Sequence, residues 1–82
     1  MAKKPDSFGT RLVAARKRRD ISQEQLAVLS EIGQSQLSHY ERDRRGPSAD
    51  NIRRIATALD ITADFLLGLS DETRRINPSV KP

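Results

Sequence analysis

The run Gln34-Ser35-Gln36-Leu37-Ser38-His39-Tyr40-Glu41 carries the side chains of this sequence best suited to recognition chemistry. Leu37 and Tyr40 recur at i, i+3, the spacing of a helix with one apolar face. At about 100° per residue, Ser35, Ser38, His39 and Arg42 fall on the opposite side. Amide, hydroxyl and imidazole groups gathered on a short rod can match the hydrogen-bond pattern of a base edge. Glutamine pairs bidentately with adenine N6 and N7, serine donates or accepts, and histidine can donate to an acceptor such as guanine N7. Gln34 stands at the helix start, the end that meets base edges when a helix enters a groove.

A second helix must hold this rod in position. Ser22 is a good N-cap, and Gln25 three residues later completes a capping-box pattern. Leu26 and Leu29 then fall on one face, and Ala27 is small enough for close approach. Glu31-Ile32-Gly33 interrupts the pattern before Leu37 and Tyr40 resume it. Two short helices joined by a tight turn form a helix-turn-helix, whose second helix lies in the DNA major groove. Gln34, Ser35, Ser38 and His39 are therefore the candidate base contacts. The start of the second helix, with Ser22 and Gln23, offers free N–H groups and a positive dipole end to a phosphate. Arg42, Arg44 and Arg45 leave the third helix into a Gly/Pro loop, within reach of the adjacent backbone.

The charge distribution agrees with that division. The formal charge is +4 over 82 residues, and the isoelectric point is near 10.1, which suits a polyanionic partner. Five of the fifteen Lys/Arg residues lie in 11–19 and five in 42–54, while 20–41 has none. A neutral polar rod between basic segments is what base contacts flanked by phosphate contacts require. Arg16, in the basic last turn of the first helix, joins the phosphate candidates.

One domain is expected, near the lower size limit for a self-sufficient core. With no cysteine, neither disulfides nor thiolate-bound metal can staple it. Residues 1–6 read as a flexible arm. A first helix is expected over about 7–19, capped by Asp6 or Ser7, with Phe8, Leu12 and Ala15 buried. The second and third cover about 23–30 and 34–42. A fourth over about 49–59 buries Ile52, Ile55, Ala56 and Leu59, and Thr62 caps a short fifth that ends before Gly68. The domain thus spans 7–69, and 70–82 reads as a flexible tail. The fold class is all-α, a compact five-helix bundle. No apolar run approaches a membrane span and the N-terminus lacks a signal-peptide pattern, so a cytoplasmic protein is expected, nucleoid-associated when bound to DNA.

Ser22-Gln-Glu-Gln-Leu-Ala, Gln34-Ser-Gln-Leu-Ser-His-Tyr-Glu-Arg, Gly46-Pro-Ser and Leu59-Asp-Ile-Thr-Ala-Asp-Phe-Leu-Leu-Gly68 together resemble the phage repressor and Cro family of helix-turn-helix regulators over about 8–69. The resemblance implies that family's DNA-binding fold, operator binding and dimerisation. It carries base contact to Gln34, Ser35 and His39, and backbone contact to Gln23. It also implies a structural ion pair between Arg16 and Glu41. Two positions depart from the family pattern. Glu31 stands where a glycine usually takes φ > 0 in the turn, and Asp20 replaces a common glycine after the first helix. Either Glu31 adopts the strained geometry, or the second helix runs longer and Gly33 absorbs the bend.

The expected function is a sequence-specific double-stranded DNA-binding transcriptional regulator, a repressor on a palindromic operator. One such helix reads few base pairs, so a homodimer on two half-sites is expected, with Phe65, Leu66, Leu67 and Leu69 as interface candidates. The alternative on the same fold is a protein-interaction module or the antitoxin of a toxin–antitoxin pair, with 70–82 binding a protein partner. One histidine, no cysteine, no phosphate-binding glycine loop and no convergent carboxylates argue against an enzyme, a metal site or a cofactor.

Overall fold

Ser7, Ser22, Ser48 and Thr62 each stand one residue ahead of a helix, in extended backbone, and each side-chain oxygen accepts from the backbone N–H three residues on. These caps satisfy one of the orphan donors at each helix start. The helices of this computed structural model, which describes residues 7–71, are α1 (Phe8–Arg18), α2 (Gln23–Ser30), α3 (Gln34–Glu41), α4 (Ala49–Leu59) and α5 (Ala63–Leu66). No strand occurs among the described residues. The expected arm over 1–6 and the expected tail from 72 onward lie outside them.

Every helix is left through a residue of positive φ. Asp20, Glu31, Asp43 and Asp60 take φ of 54–60°, and Gly68 takes 78°. Of the two geometries open for the turn between α2 and α3, the first is adopted. Glu31 is the left-handed cap of α2 at φ 60°, ψ 34°. Gly33 is an ordinary extended N-cap of α3 without a side-chain bond. Ile32, between them, is buried, so the turn trades strain at one exposed residue for a core contact.

Leu12 and Ala15 of α1, Leu26 of α2, Leu37 and Tyr40 of α3, Ile55, Ala56 and Leu59 of α4, then Ile61, Phe65 and Leu66 form one core. Helix α2 packs on α3 and α4, while α1 packs on α3 and α5. Leu29 corrects the expected α2 face, being 56% exposed. Four residues after Leu26 the core-facing position is Ser30, whose hydroxyl donates to the Leu26 carbonyl at 2.7 Å. Ile52 is only half-buried.

Three contacts tie the N-terminal half of α1 to the rest. The Phe8 and Tyr40 rings meet edge to face at 6.2 Å. The Gly9 N–H, an orphan of the first turn, donates to Asp43 Oδ1 at 2.8 Å. Arg11 is 7% exposed and its guanidinium lies 4.9 Å from the Phe65 ring centroid. Its Nη1 donates to the carbonyls of Phe65 and Ser70, and its Nη2 to Asp71 Oδ1. The first two residues beyond the expected domain end are therefore tied to α1.

Gly9 is where α1 crosses α3. A Cβ there would stand 2.7 Å from the Tyr40 carbonyl oxygen and closer still to that of Glu41. Backbone cannot yield as a side-chain tip can, so Gly9→Ala should destabilise the fold by about 1–3 kcal/mol, measured by urea unfolding. Glu31→Gly should act oppositely. It relieves a left-handed residue and should stabilise by about 0.5–1 kcal/mol after the entropic cost of glycine, seen as a higher urea midpoint.

Candidate nucleic-acid interface

Buried Leu37 and Tyr40 fix which side of α3 faces the core. Tyr40 is anchored further because its hydroxyl accepts from Asn51 Nδ2 of α4 at 2.8 Å. The opposite face then follows from the helical period. Gln34 and Ser35 are exposed, and Ser38 and His39 are half-buried. Gln34 and Ser35 thus present the most accessible polar groups, at the N-terminal end of α3.

Behind this face lies an ion pair between the first and third helices. Arg16 Nε donates to Glu41 Oε2 at 2.7 Å, and Nη2 to Oε1 at 3.2 Å. The side chains are 14% and 9% exposed. A bidentate fork of this kind is both directional and strong. Arg16 Nη1 donates to the Ile21 carbonyl at 3.0 Å, holding the link into α2. Each guanidinium nitrogen thus has a partner inside the protein, while Nη1 and Nη2 each keep a second N–H.

Gln23, in the first turn of α2, joins the pair to the exposed face. Its Nε2 donates to Glu41 Oε1 at 3.1 Å, and its Oε1 accepts from Gln34 Nε2 at 3.2 Å. Nothing in the residue spacing signalled these two bonds. Ser22 caps α2: its hydroxyl accepts from the Gln25 N–H and its own N–H donates to Gln25 Oε1 at 2.7 Å, which leaves the hydroxyl's O–H to donate outward. The first intrahelical backbone bond runs from Leu26 to the Ser22 carbonyl. The Gln23 and Glu24 amides therefore precede any intrahelical acceptor.

The cations divide into two groups. Arg11 and Arg16 are used internally. Arg19 pairs with Asp60, and both Arg53 and Arg54 pair with Asp50. The hydrogen bonds from Arg54 and then Arg53 hold the Asp50 carboxyl below its ordinary value, and Asp50 in turn raises Arg54. Among the described residues, Lys17, Arg18, Arg42, Arg44 and Arg45 are exposed and engage no carboxylate. Three of these five form the loop that leaves α3.

The four apolar candidates at α5 separate as well. Phe65 and Leu66 belong to the core at 7% and 0% exposure, whereas Leu67 and Leu69 are 49% and 74% exposed. Phe65 and Leu66 are thus corrected from interface to core, because a four-residue helix can turn only one face inward. Leu67 borders an open groove of about 330 Å³ between α4 and α5, with Ile52, Ala56, Ile61 and Ala63 on its walls. No group of three His, Asp or Glu side chains able to hold a metal occurs among the described residues. No helix among them is long and apolar enough to cross a membrane.

Residues 12–66 match the model of the helix-turn-helix family. Over 69 residues the chain is 33% identical to the HTH-type transcriptional regulator ImmR of Bacillus subtilis strain 168, covering 84% of this chain and 54% of that protein. The chain spans about half the length of the curated relatives it matches. Among solved structures it resembles the restriction-modification controller protein C.AhdI of Aeromonas hydrophila, with 44% identity and TM-score 0.70 over 72% of this chain and 89% of that one. It also resembles the P22 c2 repressor in complex with a synthetic operator, with 28% identity and TM-score 0.73 over 78% and 97%.

Removing one partner of the Arg16–Glu41 pair strands the other charge in a nearly dry site. Glu41→Ala should therefore cost about 3 kcal/mol of stability, read as a lower thermal midpoint; an unchanged midpoint would show the pair to be idle.

Proposed function

This chain belongs to the helix-turn-helix family, and on that premise we propose that it is a sequence-specific double-stranded DNA-binding transcriptional regulator, a repressor that sits on a palindromic operator as a homodimer. The observation that carries the proposal is the pose of Gln34: exposed at the N-terminus of α3, with its amide held by Gln23 rather than left to rotate. Such preorganisation lowers the entropy lost when a side chain engages a base edge.

Gln34 and Ser35 are the principal base-reading residues in this proposal, with His39 and Ser38 deeper on the same helix. Gln34 is suited to adenine through N6 and N7. Gln23, Ser22 and the α2 N-terminus meet one phosphate stretch, and Arg42, Arg44 and Arg45 meet another. That no carboxylate among the described residues engages those three arginines supports that role, since cations already engaged with carboxylates gain less from phosphate. That the structurally similar P22 c2 repressor is seen in complex with a synthetic operator supports operator binding for this chain. The work is binding rather than catalysis, in the cytoplasm on DNA.

The second half-site calls for a second subunit. Leu67, beside the groove between α4 and α5, and the exposed Leu69 are the residues proposed to meet across the two-fold axis. Sedimentation should find a dimer at tens of micromolar; a monomer there, with and without DNA, defeats this part.

In vitro selection should return a palindromic consensus, and affinity should fall steeply with salt. Arg44→Ala should weaken all sequences alike and reduce the salt slope by about 1. Gln34→Ala should cost about 1–3 kcal/mol at one base pair of each half-site. Equal losses on selected and random duplexes in the Gln34 variant would overturn base reading.

A further inference from the structure

A carboxylate accepts hydrogen bonds and does not donate them when ionised. That one-way chemistry propagates through four side chains. Glu41 is clamped by the Arg16 fork, so its oxygens cannot rotate away. Gln23 must turn its NH2 group toward Glu41 Oε1, because its carbonyl oxygen there would set acceptor against acceptor. The Gln23 carbonyl is then the end that faces Gln34, and Gln34 Nε2 donates to it. Gln34 commits one N–H inward and keeps its other N–H and its Oε1 for a partner outside.

We propose that Glu41 is a positioning residue that selects adenine over guanine at the base pair faced by Gln34, by fixing the polarity of the two amides between them. This rests on the base-reading role proposed above for Gln34. One N–H beside one C=O matches adenine N7 and N6; an amide turned the other way would offer two N–H groups, the match for guanine N7 and O6. Glu41 is 8% exposed, so it acts from behind the interface, through Gln23.

Glu41→Gln probes this effect. With its oxygen kept on Arg16 Nε it gives up the Arg16 Nη2 bond and turns an NH2 group toward Gln23, which reverses the demand on both amides. The full chain is assayed on duplexes that differ only by adenine or guanine at the position where Gln34→Ala removes preference. Glu41→Gln is expected to lower the adenine-to-guanine affinity ratio by about fivefold or more, with the loss confined to that position. The double variant Arg16→Met with Glu41→Met removes both charges together, so neither is stranded; the same loss is expected in a chain that melts near the wild-type temperature. A ratio unchanged in Glu41→Gln, or a loss spread evenly over all positions, overturns the inference and leaves base reading by Gln34 standing. If Gln34→Ala alters no position at all, base reading fails and the inference falls with it. Side-chain amide NMR of the free chain gives a readout without DNA. One Gln34 amide proton should be protected from exchange in the wild type and lose that protection in Glu41→Gln, and equal exchange of both wild-type protons overturns the relay.

Discussion

The buried fork between Arg16 and Glu41 is the constraint on which the exposed face depends. It joins α1 to the last turn of α3, and through the Ile21 carbonyl it also fixes the approach to α2. A salt bridge taken out of water is weak evidence of net stabilisation, because desolvation offsets much of the attraction. Its value here is directional. Two charges that must meet at 2.7 Å allow one axial position of α3 against α1, and that position puts Gln23 between Glu41 and Gln34.

The same crossing needs Gly9, where the two backbones come closer than any side chain permits. It also uses Asp43, whose carboxylate takes the Gly9 N–H while its own backbone sits at φ 59°. A residue in the left-handed region costs roughly 1–2 kcal/mol, and four non-glycine residues accept that geometry at helix ends. Three of them are aspartates, which tolerate the region better than most residues. Short helices joined by tight exits are the consequence. They hold α3 against the bundle on one side and leave its other side open.

Charge is partitioned by the fold. A basic composition suggests a broad positive surface, yet Arg11, Arg16, Arg19, Arg53 and Arg54 are drawn into internal or intramolecular pairs. Among the described residues, the cations that remain without a carboxylate are concentrated at the end of α1 and in the loop after α3, where they flank the neutral polar face.

Features governed by neighbours three or four residues apart were legible in the chain itself. Ser22 and Thr62, and Ser7 beside Asp6, announce helix starts because a cap bonds an amide three residues on, and Leu12, Ala15, Leu37, Tyr40, Ile55 and Leu59 announce the core by their period. The accessible Gln34 and Ser35 follow from the same geometry. Contacts between distant segments were not legible. Nothing local distinguishes Leu29 from Leu26, Leu66 from Leu67, or a solvated arginine from the buried Arg11 and the half-buried Arg16. Glu31 offered two turns, and the burial of Ile32 decided between them. The Glu41–Gln23–Gln34 chain of amides belongs wholly to this second class. It exists because three helices meet at one angle, and hydrogen-bond polarity is a property of that meeting, not of any one helix.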